Sequence, residues 1–169
     1  DESSLLQDNA DAVNIGNITA LKTTSPMKRY DYTYWSSPVN GQTLYNLSPL
    51  TMIDKYYSFS PAIGNWVSHL SGNATMEAGK GYIIRAPQPF STTLATPYSG
   101  GQFIGAPNNG DIIVPISVGI SDMNLIGNPY PSAIDMDLFL LDTGNAAITG
   151  GTIYLWTHHS APALLEGDN

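Results

Sequence analysis

The chain has 169 residues, with 14 Asp or Glu against six Lys or Arg and a net charge of −8. That balance argues against nucleic acid or an anionic membrane surface as partner, because neutralising phosphates needs a basic face. With no cysteine, disulfides, thiolate zinc sites and a cysteine nucleophile are excluded.

Charged residues make up only 12%, against about 25% in typical soluble domains. The polar surface must therefore come from Ser, Thr, Asn, Gly and Tyr. No apolar run reaches the ~18 residues of a membrane span, so membrane insertion is not expected. No signal peptide is apparent, as in a mature or excised fragment.

Sixteen Gly and twelve Pro punctuate short β-branched and aromatic runs. The predicted strands in chain order are Ser4–Gln7, Ile18–Thr23, Tyr30–Trp35, Tyr56–Ser60, Trp66–Leu70 and Tyr82–Ala86. They continue with Thr92–Thr96, Gln102–Gly105, Ile112–Ser117, Asn124–Gly127 and Thr152–Thr157. Many short strands spaced by turns predict one all-β domain over residues 1–169, a jelly-roll-like β-sandwich.

In YDYTYW the alternation puts Tyr30, Tyr32 and Tyr34 on one face and Asp31, Thr33 and Trp35 on the other. The tyrosine face is the expected core face. Gly79-Lys80-Gly81 reads as a turn feeding the next strand. Pro115 demotes its run to an edge strand or a bulge.

A helix is predicted at about Ala133–Leu141, where Ile134, Leu138 and Leu141 fall at helical spacing. Ser132 and Asp135 stand as a capping box, and Gly144 is a stop signal. The Asn128-Pro129-Tyr130-Pro131 turn leads into it, with Tyr130-Pro131 a candidate cis bond. Asp135 and Asp137 also offer a calcium alternative, as spaced oxygen ligands. A single D-x-D carries less than the three or more ligands such loops bring, so no cofactor is expected.

Motifs for chemistry are sparse. His69 is most simply a strand residue. His158 and His159 are adjacent, so a strand would point them to opposite faces. No nucleophile elbow or phosphate loop is completed, and nothing places two carboxyls for glycoside hydrolysis. Asn17, Asn46 and Asn73 head N-x-S/T sequons. An enzyme is not expected. Trp35, Trp66, Trp156, Tyr56 and Tyr57 are the candidate binding residues, for a glycan stacked on an exposed aromatic face; their other use is to fill the core.

Taken together, YDYTYWSSPVNGQTLYNLSP, YYSFSPAIGNWV, TMEAGKGYIIRAP, LIGNPYPSAIDMDLFL and GTIYLWTH carry a resemblance over roughly residues 30–159. The chain resembles a domain near the C-terminus of very large secreted adhesins of gliding bacteria, exported by the type IX secretion system. That resemblance implies an extracellular, cell-surface, non-enzymatic module of structural or adhesive role. Its partners would be other domains of the same long chain, with surface glycans as the alternative. The chain stops soon after the WTH strand and has no C-terminal sorting domain. It therefore reads as a fragment of a longer surface protein, with a sheet edge left open where the family continues.

Overall fold

The computed structural model describes residues 4–155, which fall into two compact units divided between Ser132 and Ala133. The first unit is built from antiparallel strands β1 (Ile18–Lys22), β2 (Tyr32–Trp35), β3 (Tyr56–Ser60), β4 (Asn65–Ser68), β5 (Tyr82–Arg85) and β6 (Gly101–Gly105). They make a two-stranded ribbon, β1–β6, and a four-stranded sheet in the order β2–β5–β3–β4. The fold is all-β and sandwich-like.

The core takes side chains from both sheets. Trp35, Tyr56, Tyr82 and Ile84 come from the larger one and Phe103 from the ribbon, with Ile18 and Ala20 packed against them. The ribbon follows a period of two: Gly101, Phe103 and Gly105 are buried while Gln102 and Ile104 are exposed. Phe103 fills the core, and the flanking glycines let the backbone come close. A Cβ on Gly101 would stand 2.9 Å from the Trp35 ring, and one on Gly105 would overlap the Asn40 carbonyl oxygen.

Tyr56 anchors the centre of the larger sheet. It is fully buried, its hydroxyl donates to the Ser48 carbonyl at 2.7 Å, and burial pushes its phenol up to about 12. A short helix, α1 (Leu44–Leu47), closes one end of the core with Leu44 and Leu47. Its amide at Asn46 is capped by the Thr43 hydroxyl at 3.2 Å. One turn of helix is too short to show a period, and the sequence predicts no helix there.

All six strands lie where the sequence predicts strands. The other five segments are not strands among the described residues. At Ile112–Ser117 the Asn124 side-chain amide takes the place of a strand: it accepts from Ser117 N at 3.1 Å and donates to Ser117 O at 2.9 Å. In Thr92–Thr96 the Ser91 hydroxyl holds the Thr93 and Leu94 amides, leaving a single bridge from Thr96 to Met27. Asn124–Gly127 contributes one bridge, Ile126 to Lys80. Ser4–Gln7 is tied down by its Gln7 side chain instead, and Thr152–Leu155 is irregular. The remaining residues of that last segment lie outside the described residues.

The expected core face of β2 is reversed. Trp35 is buried, Tyr32 and Tyr34 are half-buried, and Tyr30 is 54% exposed. The ribbon covers the Trp35 side of the sheet, so alternation sends the tyrosines to the other face. Tyr130-Pro131 is trans, since the described residues contain no cis peptide bond.

The second unit holds two short helices, α2 (Met136–Leu141) and α3 (Thr143–Thr149). Here Asp135 is itself the N-cap: its Oδ1 accepts from the Asp137 and Leu138 amides, both at 3.0 Å. The box centred on Ser132 is therefore displaced by three residues. Gly144 does not stop the chain's helical run; Asp142 ends α2 and caps α3 through the Asn145 amide. Gly150, in the left-handed region, closes α3.

Gly105→Ala should lower stability by about 1–3 kcal/mol through overpacking, whereas Gln102→Ala on the exposed side should change it by less than about 0.5 kcal/mol. Urea unfolding of both variants checks this; equal effects would contradict the close approach of ribbon and sheet.

Candidate functional site: an aromatic sheet face and an adjoining cleft

The face of the larger sheet that points away from the core is aromatic. The pairings Tyr34↔Ile83, Tyr57↔Ile83 and Phe59↔Trp66 place Tyr32, Tyr34, Tyr57, Phe59 and Trp66 on one side, with Ile83 and Arg85 between them. All five rings are half-buried.

The rings touch in a chain. Phe59 and Trp66 meet edge-to-face with centroids 5.4 Å apart. They oppose each other in a non-hydrogen-bonded pair, because pair types alternate and the Tyr56–His69 pair, three pairs along, carries a ladder bond; side chains in such pairs sit closest. Tyr34 meets Trp66 at 6.4 Å and Tyr32 meets Tyr57 at 6.0 Å. Rings from the outer strands thus lean across the sheet, and Ile83 is only 8% exposed.

Burial, and then the neighbouring Tyr57 hydroxyl, push the Tyr32 phenol well above its ordinary range, and burial raises Tyr34. Both are uncharged at any physiological pH. Arg85 is the face's cation. It is buried, stacks on the Tyr30 ring at 5.7 Å, and its Nε has no hydrogen-bond partner among the described residues.

Beside this face, along the edge strand β2, runs a cleft of about 380 Å³. Tyr34 belongs to both. Trp35, Phe103 and Leu125 give the cleft apolar walls; Lys22, Thr23, Thr33 and Ser36 give it polar groups. The segment Leu125–Gly127 is pinned as one wall by Gly81 N to Leu125 O at 3.0 Å and Gly127 N to Gly79 O at 2.9 Å.

The five predicted aromatic residues are thus not gathered on one face. Trp66 and Tyr57 lie on the aromatic face, Tyr56 lies in the core, and Trp35 lies in the core with its ring against the cleft. Trp156, like His158 and His159, is outside the described residues. The rings sequence reasoning left out are Tyr32, Tyr34 and Phe59. Their signal was the alternation in YDYTYW and YYSFS, once the core side of the sheet is known.

Asp135 spends one oxygen as the α2 cap, and Asp137 is exposed beside it. Among the described residues no three His, Asp or Glu side chains gather around a common point. A cation held there would have these two carboxylates as its side-chain ligands.

One pair has the look of a nucleophile and its base: Ser58 Oγ lies 2.9 Å from His69 Nε2. Both stand at the margin of the core, where Ser58 is 5% exposed and His69 meets the Tyr82 ring at 6.0 Å. A serine so covered has no room for a substrate carbonyl, and the pair's observable role is to satisfy two buried polar groups. Burial first, and Lys80 second, pull His69 below its ordinary value of 6.5, with Glu77 opposing. The folded state thus favours neutral imidazole, while the unfolded chain takes up the proton. This contribution is complete above about pH 6.5 and is lost as pH falls through the lowered folded value. Wild type should therefore lose more stability between pH 7 and pH 5 than His69→Gln, as followed by thermal unfolding; parallel pH profiles would contradict a half-buried, neutral His69.

Comparison with curated proteins gives no match, and comparison with solved structures gives none either. No helix among the described residues is long and apolar enough to cross a membrane. Residues 1–168 match the family described as "Domain of unknown function (DUF8693)", and the chain belongs to that family.

Proposed function

We propose that this domain is a non-enzymatic structural and adhesive module of a large secreted cell-surface protein, working among other domains of the same long chain outside the cell. The observation that carries the adhesive part is the aromatic face. Five rings from three strands of one sheet give a broad, rigid surface, and Tyr and Trp combine apolar area with a polar tip at little conformational cost. The motif resemblance supports the setting in a surface adhesin.

A second, sharper reading is that the face binds carbohydrate. Its support is chemical: flat rings offer the apolar faces on which sugar rings stack, and Tyr hydroxyls at their margins offer hydrogen bonds. Trp66 and Tyr57, both half-buried on this face, are the residues this reading depends on.

A glycan array probed with the wild-type domain and with Trp66→Ala and Tyr57→Ala tests it. Binding to a defined glycan class is expected, weakened at least tenfold in each variant, with unfolding midpoints shifted only modestly. No glycan bound, or both variants binding like wild type, would remove the carbohydrate reading.

A further inference from the structure

The cleft beside β2 differs from the rest of the molecule in charge. The protein carries −8 overall, yet among the described residues Lys22 is the one charged residue lining this cleft and no carboxylate shares it. Lys22 takes no part in either ion pair among the described residues, which join Lys55 to Asp54 and Lys80 to Glu77. Its placement follows from strand alternation. Ile18 and Ala20 pack inward against the core, and Lys22, two residues further on, continues that inward side where the core gives way to the cleft.

The polar groups of the lining divide into two sets. Thr24, Asn128 and Tyr130 are spent on the walls: Thr24 Oγ1 accepts from Tyr98 N at 2.9 Å, Asn128 Nδ2 donates to Ser132 O at 2.7 Å, and the Tyr130 hydroxyl donates to Gly110 O at 2.6 Å. Among the described residues Thr23, Thr33 and Ser36 are not so used. The Ser36 Oγ is buried and has no hydrogen-bond partner among the described residues, an uncommon condition for a buried hydroxyl. At about 380 Å³ the cleft is at the small end of ligand pockets, which span roughly 300–1,000 Å³.

We propose that this cleft binds one sugar unit bearing a carboxylate, a uronic acid. The carboxylate pairs with Lys22, ring hydroxyls meet Thr23, Thr33 and Ser36, and the apolar face of the sugar lies on the Trp35 and Leu125 wall. A cation without carboxylate neighbours selects an anion, the unspent hydroxyls select a hydroxylated one, and the apolar wall selects one with a C–H face. A highly charged polyanion fits less well, because the net charge of the protein repels it. The proposal rests on the carbohydrate reading and adds to it the class of sugar and a second contact site.

Amide-resolved NMR titrations of the wild-type domain with glucuronate, glucose and acetate test it. Glucuronate should give saturable shifts centred on Lys22–Thr24 and Thr33–Ser36, with glucose and acetate each at least tenfold weaker. Lys22→Gln should remove the preference for glucuronate over glucose, Ser36→Ala should weaken both sugars, and Trp66→Ala, away from the cleft, should leave the preference intact. Raising NaCl from low to high concentration should weaken glucuronate, since Lys22 is exposed and its charge is screened.

Equal binding of glucuronate and glucose, shifts mapping outside the cleft, or an unchanged preference in Lys22→Gln would overturn the proposal. If array glycans bind through Trp66 while glucuronate leaves the cleft unshifted, the acidic-sugar inference fails alone. If glucuronate binds the cleft but no glycan depends on Trp66 or Tyr57, the aromatic-face reading fails alone.

Discussion

The register of β5 between β2 and β3 governs everything this protein presents to its surroundings. Asp31 O accepts from Ala86 N at 2.9 Å on one side, and Lys55 O accepts from Arg85 N at 3.1 Å on the other. These bonds fix which residues of a four-residue strand face inward. Tyr82 and Ile84 go to the core, and Ile83 and Arg85 go to the aromatic face. Because side chains alternate with a period of two, a slip by one residue would exchange the two sets. The core would then take up Arg85, and the rings of Tyr32, Tyr34 and Tyr57 would lose the apolar floor on which they meet.

A chain with few charges must hold its long loops by other means. Here side-chain amides and hydroxyls do it, bonding chiefly to backbone. The Asn109 amide reaches both Asn9 O at 2.8 Å and Ala12 O at 2.9 Å, and the Thr51 hydroxyl donates to Arg85 O at 2.7 Å inside the core. Such bonds are insensitive to salt and pH in a way surface ion pairs are not. Asn124 does the same for the backbone of Ser117, at the end of a segment that reads as a strand.

The sheets were legible in the sequence because the strands are short runs with β-branched or aromatic residues, set between turn-forming residues such as Gly, Pro, Asn, Asp and Ser, a local property. The core side was not, because alternation gives two faces without saying which one a distant ribbon will cover. Phe103 and its flanking glycines decide that for Trp35, from nearly 70 residues away. Trp66 and Tyr57 were legible as candidate binding residues by type alone; that Tyr56 turns inward beside Tyr57 follows from the same alternation. The cleft was illegible, since Lys22, Thr33, Ser36 and Leu125 come together only through tertiary structure. At α2 the Asp135 cap replaced the Ser132 box because an aspartate directly ahead of the first helical residue reaches two amides by itself.

Cross-strand proton contacts in the sheet test the central claim most directly. Tyr34 and Ile83 oppose each other in a non-hydrogen-bonded pair, where α-carbons approach to about 4.5 Å. A strong Hα–Hα nuclear Overhauser effect between Tyr34 and Ile83 is the result this register requires. A strong contact from Tyr34 Hα to Tyr82 or Ile84 instead would mean that β2 sits one residue out of place, and with it the aromatic face and the inward-facing core would both be misassigned.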